Sequence, residues 1–417
     1  MKRILYTILL AIGTLSFSSC TDYINVDKYF YDQVSLDSAF SKRVYVDGWL
    51  SSAYSVMDYI GEYREPFRWA SDDLYHPDMK DYVEGNYSAD NQLSDKDQNE
   101  SRLWKYYEGI RKASTFIQNV DRCSELTMDE IADMKGQARF LRAYCYWALI
   151  RVYGPVPLIP LEGLDVNLSY EELSLPREHF DNLVDFIDQE LAESARSLPT
   201  KRTVNNLGRP TRGAALGLRS RVLLYAASPL FNGNTDQASV KNKDGKQLFP
   251  QTEDNSKWTQ ARDAYERFMT FATGQGYKLT EVYTNGKLDP YASCRAAGEF
   301  FTTTWEAVDE LIFVKLRDLY DYTYWVCPKF TDFQDTDVTG GGGYYTTQET
   351  VDLFFTKDGL TIEEDPGYDK FEGIPGANNF TSGRYYDPNN PSRLYFDADK
   401  SKVLKQWKDR EPRFYVN

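Results

Sequence analysis

The chain has 417 residues, 41 % of them hydrophobic, and a formal net charge of −15 at pH 7. This length and apolar content are those of a globular protein with ample core material, and an anionic surface argues against a general nucleic-acid-binding protein because it repels phosphate. Only two histidines are present, and the five cysteines form no CxxC motif. Three-histidine metal sites and structural zinc are therefore excluded, and we expect no metal and no cofactor.

The N-terminus has the pattern of an export signal. Two basic residues precede a mostly apolar stretch from Ile4 to Leu15, and small residues then lead to Cys20. The stretch is too short to span a bilayer comfortably, and a cysteine after small residues is where bacterial lipoprotein processing cuts and attaches lipid. We predict a signal peptide over residues 1–19 and a lipidated tether over residues 20–45. The alternative is ordinary cleavage with Cys20 unmodified.

Helical patterns dominate the middle of the chain. Apolar residues recur at three- and four-residue steps from Trp104 to Val120, which predicts an amphipathic helix. Thr127 is followed three residues later by Glu130, the signature of a capping box. The helix that it opens is predicted to end at Tyr153, because Gly154-Pro155 follows.

The helical pattern then recurs. An amphipathic segment covers residues 177–198, a second helix runs from Pro210 to Pro229, and a further apolar stripe begins at Trp258. Helices of about 18–25 residues with Ala and Gly at close-approach positions are typical of stacked antiparallel hairpins. The predicted fold class is mostly α, an α-α superhelix of hairpins with a loop-rich irregular region.

Long irregular segments lie between and after these helices, over residues 72–100, 232–257 and 289–417. The first is polar, acidic and tyrosine-bearing, and the other two are rich in Gly, Asn, Asp, Tyr and Pro. Loops of this length in a compact protein are usually functional or disordered. Their many aromatic residues favour ordered, functional loops, since aromatics bury enough surface to fix a backbone.

Two segments are far more specific than generic helix patterns: ARFLRAYCYWALIRVYGPVPLI at 138–159 and GRPTRGAALGLRSRVLLYAASPLFNG at 208–233. Four others occur in the order expected of the same family, at residues 20–27, 104–119, 348–354 and 409–414. The ordered set resembles the SusD/RagB family, outer-membrane lipoproteins of Bacteroidetes-type bacteria, along effectively the whole chain. In that family the last motif is followed by another helical pair, so we expect the chain to be truncated at its C-terminus.

The resemblance implies a binding protein rather than an enzyme, built on tetratricopeptide-like helical pairs. It implies a lipid anchor in the outer membrane, exposure to the cell exterior, and delivery of captured glycan to a SusC-like TonB-dependent transporter. A subset of the family handles peptides, so the alternative is a peptide-binding uptake lipoprotein or a helical-repeat scaffold for protein interactions. We expect a SusD-like helical region over residues 46–230 and a loop-rich SusD/RagB region over residues 231–417, incomplete at its C-terminus.

Two aromatic clusters in the loops have the composition of a glycan-binding site, from Phe67 to Tyr87 and from Tyr320 to Phe333. Sugar rings stack their C–H faces on Trp and Tyr, and nearby amides and carboxylates bond to hydroxyls. The clusters match the ligand surface of family relatives by their order in the chain; the alternative is that they fill small local cores. The candidate ligand-binding residues are Trp69, Asp73, Tyr75, Tyr82, Tyr322, Tyr324 and Trp325, with Trp69 and Trp325 the foremost.

Three arginines lie on the helix predicted to end at Tyr153. Arg139 and Arg142 are about one turn apart on neighbouring faces, and Arg151 points roughly the opposite way. We favour intramolecular bridging to acidic loops over contact with a transporter. Three aromatics of the same helix are assigned to packing between hairpins: Tyr144, Trp147 and Tyr153.

Paired acidic residues occur at Asp72-Asp73, Glu171-Glu172 and Glu363-Glu364. Adjacent side chains on a loop or strand point apart, whereas a glycosidase holds two carboxyl groups across the scissile bond. The segment from Asp335 begins like a calcium loop, but its twelfth position is Thr346 instead of a bidentate Glu. We predict no catalytic residue and assign no metal ligand.

Overall fold

The computed structural model describes residues 36–58, 74–75, 102–165, 167–298, 309–314, 345–368, 380–382 and 402–415. The helices are α1 (Leu36–Ala39), α2 (Arg43–Tyr54), α3 (Arg102–Asn119), α4 (Met128–Tyr153), α5 (Tyr170–Leu173), α6 (Phe180–Ser197), α7 (Arg212–Ala227), α8 (Ser256–Gly274), α9 (Pro290–Gly298) and α10 (Gln348–Leu353). The strands are β1 (Leu74–Tyr75), β2 (Tyr283–Thr284), β3 (Lys287–Leu288), β4 (Tyr345–Thr346), β5 (Phe380–Ser382) and β6 (Lys402–Leu404). They pair antiparallel as β1 with β4, β2 with β3, and β5 with β6.

The long helices pack in chain order, α2 on α3, α3 on α4, α4 on α6, α6 on α7 and α7 on α8. One continuous hydrophobic core runs through this series, from Ala39 to Ala264. The predicted fold class is confirmed: the protein is mostly α, with tetratricopeptide-like helical hairpins and an irregular region. Within the described residues, no helix combines the length and apolar character needed to cross a bilayer.

Helix α4 lies in the middle of the series. From Phe140 to Ile150 every side chain except Tyr144 is buried, because α3 and α6 cover it from two sides. The predicted capping box is confirmed: the Glu130 N–H donates to Thr127 Oγ1 (3.3 Å) and the Thr127 N–H donates to the Glu130 carboxylate (2.8 Å). The helix ends at Tyr153 as predicted, with Gly154 at a φ of 63°.

The segment between α7 and α8 is ordered by aromatic packing. Phe231 stacks on Phe180 of α6 with ring centroids 4.3 Å apart, and Phe249 lies 5.6 Å from the same ring. Asn232 and Asp254 exchange two hydrogen bonds of 2.9 Å, which join the two ends of the segment. Buried rings therefore fix this long loop, as its composition predicted.

Two predicted helix starts are wrong by a few residues. Helix α6 begins at Phe180 instead of residue 177, because the His179 side chain accepts the Asp181 N–H and caps the helix there. Helix α7 begins at Arg212 because Thr211 caps it by accepting the Ala214 N–H, so Pro210 lies outside the helix. In both cases a side-chain cap decided the boundary.

Some aromatics expected in the core are exposed. Trp258 and Tyr265 of α8 are 42 % and 52 % exposed, because this helix packs through its alanines. Tyr153, at the last turn of α4, is 38 % exposed, so its assignment to packing between hairpins stays a prediction. The assignment of Trp147 is confirmed: it is buried and meets the ring of Tyr225 of α7 edge-on at 4.9 Å. Tyr144 packs partly buried against the core.

We predict that the stabilising contribution of Glu130 disappears in acid. The backbone N–H of Thr127, and next the Arg43 side chain, lower the pKa of Glu130 to about 2. Because the folded pKa lies below the unfolded one, the contribution is complete above about pH 5 and declines as the pH falls toward 2. The measurement is the difference in thermal midpoint between the native protein and Glu130→Gln, from neutral pH downward.

Glu171→Gln, which changes an exposed carboxylate, is the matched control and should leave the pH profile of the thermal midpoint unchanged. A difference between native protein and Glu130→Gln that stays constant across the acid range would contradict the prediction.

Candidate ligand-binding region

A short antiparallel ladder joins two distant parts of the loop-rich region. Strand β1 pairs with β4 so that Leu74 lies opposite Thr346 and Tyr75 opposite Tyr345. Strand β1 belongs to the first predicted aromatic cluster, and β4 follows the second cluster along the chain. The ladder therefore places two residues of the first cluster beside a strand that lies after the second cluster in the chain.

Tyr75 is the one candidate ligand-binding residue in the described part of the chain, where it forms half of β1. The other candidates lie outside the described residues: Trp69, Asp73, Tyr82, Tyr322, Tyr324 and Trp325. Cys20 and residues 335–344 of the calcium-like segment also lie outside them, whereas its twelfth position, Thr346, lies in β4. The roles assigned to these positions stay predictions.

Strand β4 continues almost directly into α10. The intervening Thr347 is the N-cap of this helix, and its side chain accepts the Thr350 N–H at 3.3 Å. The two elements therefore share a short, capped connection, and the position of α10 constrains the position of β4.

The other end of α10 is held by a buried arginine. Arg410 is 3 % exposed, and its Nη2 donates to the carbonyl oxygens of Val351 (2.6 Å) and Phe354 (2.5 Å). Carbonyl groups at a helix C-terminus have no partner within the helix and carry the negative end of its dipole. The Arg410 guanidinium thus supplies both hydrogen bonds and opposite charge at the end of α10.

Two rings enclose the same guanidinium. Its central carbon lies 5.0 Å from the ring centroid of Phe414 and 5.3 Å from that of Tyr368, and Nη1 donates to the Tyr368 hydroxyl at 3.1 Å. Such cation–π contacts compensate for part of the hydration that the buried charge has lost. Burial is the main cause that raises the pKa of Tyr368.

Backbone contacts tie the neighbouring residues together as well. The Phe355 N–H donates to the Glu411 carboxylate (3.0 Å), the Glu411 N–H donates to the Phe355 carbonyl (2.9 Å), and the Lys357 N–H donates to the Asp409 carbonyl (2.8 Å). The segments 348–354 and 409–414 therefore form one unit. The sequence marked both segments as family motifs, but nothing in it indicated that they meet.

Arg139 and Arg142 converge on one carboxylate of α6. Glu190 Oε1 lies 2.6 Å from Arg139 Nη1 and 3.7 Å from Arg142 Nη1, and Arg142 also donates to the Ile159 carbonyl at 3.0 Å. Burial raises the pKa of Glu190, although both arginines oppose this shift. The predicted intramolecular role is confirmed, but the partner is a helix residue and no acidic loop takes part in these contacts. Arg151 lies elsewhere, 5.4 Å from the Trp147 ring centroid.

The two described acidic pairs are divided by local hydrogen bonding. Glu172 accepts from Ser169 in the capping box of α5, and Glu364 accepts the Thr361 N–H and hydroxyl in a similar turn. One member of each pair is thus engaged in a local cap, as expected for carboxylates that do not act together. Among the residues that the structure describes, no group of three His, Cys, Asp or Glu side chains could hold a metal ion.

Small clefts open between the described helices. One of about 240 Å³ lies between α2 and α3, and one of about 180 Å³ lies where α6, α7 and the start of α8 meet. In the second cleft Lys257 Nζ bonds to Asp181 (2.7 Å), and Asp254 accepts the Ser256 N–H (2.8 Å). These charged groups bond within the protein, so the second cleft is a poor candidate for a ligand site. The candidate region is therefore the β1–β4 ladder, beside the aromatic clusters.

Comparison with known proteins identifies the family. A family model described as starch-binding associating with outer membrane matches residues 28–224, and the SusD family model matches residues 310–417. A SusD-like protein of Bacteroides ovatus is 26 % identical in an alignment 250 residues long that covers 56 % of this chain and 42 % of that protein. The chain belongs to the SusD/RagB family, as its motifs indicated.

Solved structures agree with this fold. The protein BT4246 superposes with a TM-score of 0.66 at 24 % identity, over 90 % of this chain and 64 % of that chain. A SusD-like protein from Bacteroides fragilis superposes with a TM-score of 0.61 at 22 % identity, over 93 % of this chain and 62 % of that chain. The chain spans less than half the length of the curated relative and less than two thirds of these two structures.

We predict that Glu190→Ala is strongly destabilising, by about 3–5 kcal/mol, because it leaves two largely buried guanidinium groups without their carboxylate. The matched control is Glu193→Ala on the same helix, whose partner Arg196 is exposed and whose loss costs about 0–1 kcal/mol. Urea unfolding of both variants measures the difference. Equal stabilities would contradict an intramolecular role for Arg139 and Arg142.

Proposed function

We propose that the protein is a cell-surface glycan-binding lipoprotein that captures oligosaccharide or polysaccharide and delivers it to a SusC-like TonB-dependent outer-membrane transporter. The observation that carries this proposal is the β1–β4 ladder of a SusD/RagB family member, which pairs two residues of the first aromatic cluster with a strand that follows the second cluster along the chain. The description of one matching family model as starch-binding supports the same ligand class.

The division of the molecule into two kinds of structure fits this role. The helices share one core, so they form a rigid platform. The loop-rich region offers aromatic rings for sugar faces together with amides and carboxylates for hydroxyl groups. Capture against a transporter would raise the local concentration of ligand, so individually weak contacts suffice and no catalytic group is needed.

The proposed location depends on Cys20. Acyl chains on this residue would hold the protein at the outer membrane, facing the exterior. Leu36, the first described residue, follows Cys20 by about 16 residues, which can reach at most about 55 Å when fully extended. The helical platform would therefore stay close enough to the membrane to meet a transporter embedded in it.

We predict that Trp325→Ala and Trp69→Ala each weaken glycan binding by several-fold to about tenfold while leaving the circular dichroism spectrum unchanged, because each removes a stacking surface. Native gels containing soluble starch, laminarin, xylan or mannan measure retention, with the native protein identifying the polysaccharide that binds. Trp258→Ala removes a partly exposed tryptophan from α8, outside both clusters, and should leave retention unchanged.

Two results would argue against this function. Capture of peptides with no retention by any polysaccharide would favour the peptide-binding or scaffold alternative, and release of reducing sugar would indicate a glycosidase. Retention unaffected by either tryptophan substitution would remove these residues from the site.

We predict that Cys20→Ser moves the protein from the membrane fraction to the soluble fraction and abolishes incorporation of labelled palmitate, since acyl chains on this residue would anchor it. Cys294→Ser, which changes a partly exposed cysteine, is the control and should keep both properties. Membrane association that survives Cys20→Ser would contradict lipid anchoring at this residue.

A further inference from the structure

We propose that Arg410 is a positioning residue for the ligand-binding region: it holds the β1–β4 ladder together by fixing α10. This inference rests on the proposed function for its biological meaning, but the structural claim is independent of any ligand. Three successive links connect the buried Arg410 to β1, the strand in the first aromatic cluster.

The first contact is between Arg410 and α10. This helix has only six residues, too few to be stable alone, since helices of fewer than about 12 residues are marginal in water. It needs help at its ends, and the Arg410 guanidinium donates to the carbonyl oxygens of Val351 and Phe354 at its C-terminal end. Charge-assisted bonds of this kind are stronger than those between neutral groups.

The second link is the short chain connection between β4 and α10. Thr347 is the only residue between β4 and α10, and its side chain caps the helix. A rotation or fraying of α10 would therefore move β4 directly.

The third contact is the ladder itself. It has two residue pairs, and a two-stranded pairing of this size is not stable in isolation. Its register must be maintained by what holds the flanking segments, and Arg410, which is 3 % exposed, is a buried charged group that holds the segment following β4. The loss of Arg410 would thus open the ladder although the residues of the two strands are not substituted.

The neighbouring Arg413 provides a matched comparison. It belongs to the same motif, but its side chain is 59 % exposed and forms its ion pair with Glu411. Two backbone hydrogen bonds, from the Glu411 N–H to the Phe355 carbonyl and from the Lys357 N–H to the Asp409 carbonyl, use no side chain, so they keep the two segments together in variants of either arginine. A difference in the stability of the ladder between the two variants would therefore be due to the contacts of Arg410 with α10.

The experiment measures disulfide formation across the ladder. Leu74→Cys and Thr346→Cys are introduced together in the full chain, because opposed residues of an antiparallel pair lie within disulfide reach. Cys20, Cys294 and Cys327 are replaced by serine, whereas Cys123 and Cys145 stay because they are buried. The rate of crosslinking under mild oxidation is compared in the otherwise unchanged protein, Arg410→Lys, Arg410→Ala and Arg413→Lys.

We expect crosslinking to slow by about tenfold in both Arg410 variants and to be unchanged in Arg413→Lys. Lysine retains the charge but cannot reproduce the planar fork of donors, so Arg410→Lys tests the geometry of the hydrogen bonds. Circular dichroism of each variant checks that the helical fold is intact. Equal crosslinking rates in the parent, Arg410→Lys and Arg410→Ala would overturn the proposal.

A second measurement links the ladder to binding. On the same gels of starch, laminarin, xylan and mannan, the oxidised Arg410→Lys protein should regain the retention that its reduced form lacks. Slowed crosslinking without recovery of retention after oxidation would overturn the role in ligand binding. If the parent protein binds none of these polysaccharides, the proposed function fails while the crosslinking rates still decide the role of Arg410 in the ladder.

Discussion

The burial of α4 is the constraint on which the helical framework depends. Its stretch from Phe140 to Ile150 is covered by α3 and α6, so both neighbours are positioned by the same surface. Arg142 lies within this stretch, and its charge is tolerable there because Glu190, the Ile159 carbonyl and the Phe186 ring surround it. The buried Arg142 restricts sliding of α4 along α6, because only one register of the two helices places it beside Glu190.

The loop-rich region is organised on another principle. From residue 289 onward its sequence has only short apolar runs, and among the described residues the buried members of the helical core end at Ala264. Arg410 takes the place of a core: one guanidinium collects carbonyl groups and rings from three separate segments. Each hydrogen bond contributes only modestly to the free energy of folding. A buried guanidinium without its partners would cost much more, so arrangements that break these contacts are disfavoured.

The helical framework was largely predictable from the sequence, because local signals determine it. The capping box at Thr127 and the stop at Gly154 gave both ends of α4, whereas a histidine cap at His179 is rare enough that the start of α6 was misplaced. The exposure of Trp258 was not predictable, because periodicity marks an apolar stripe without revealing what covers it. The ladder and the Arg410 contacts depend on segments far apart in the chain, and no local pattern encodes such pairings.

Under the proposed function, the contrast between the two regions has a consequence for ligand specificity. Substitutions in the helical core change packing that many residues share, so the platform tolerates little variation. The loops depend on a few anchors made largely of backbone groups, such as the Phe355–Glu411 pair and the carbonyls bound by Arg410. Backbone anchors leave most loop side chains free to differ, so ring-bearing residues could be exchanged without loss of the ladder. A single framework could in this way present different binding surfaces, provided that the guanidinium at position 410 and its carbonyl partners are retained.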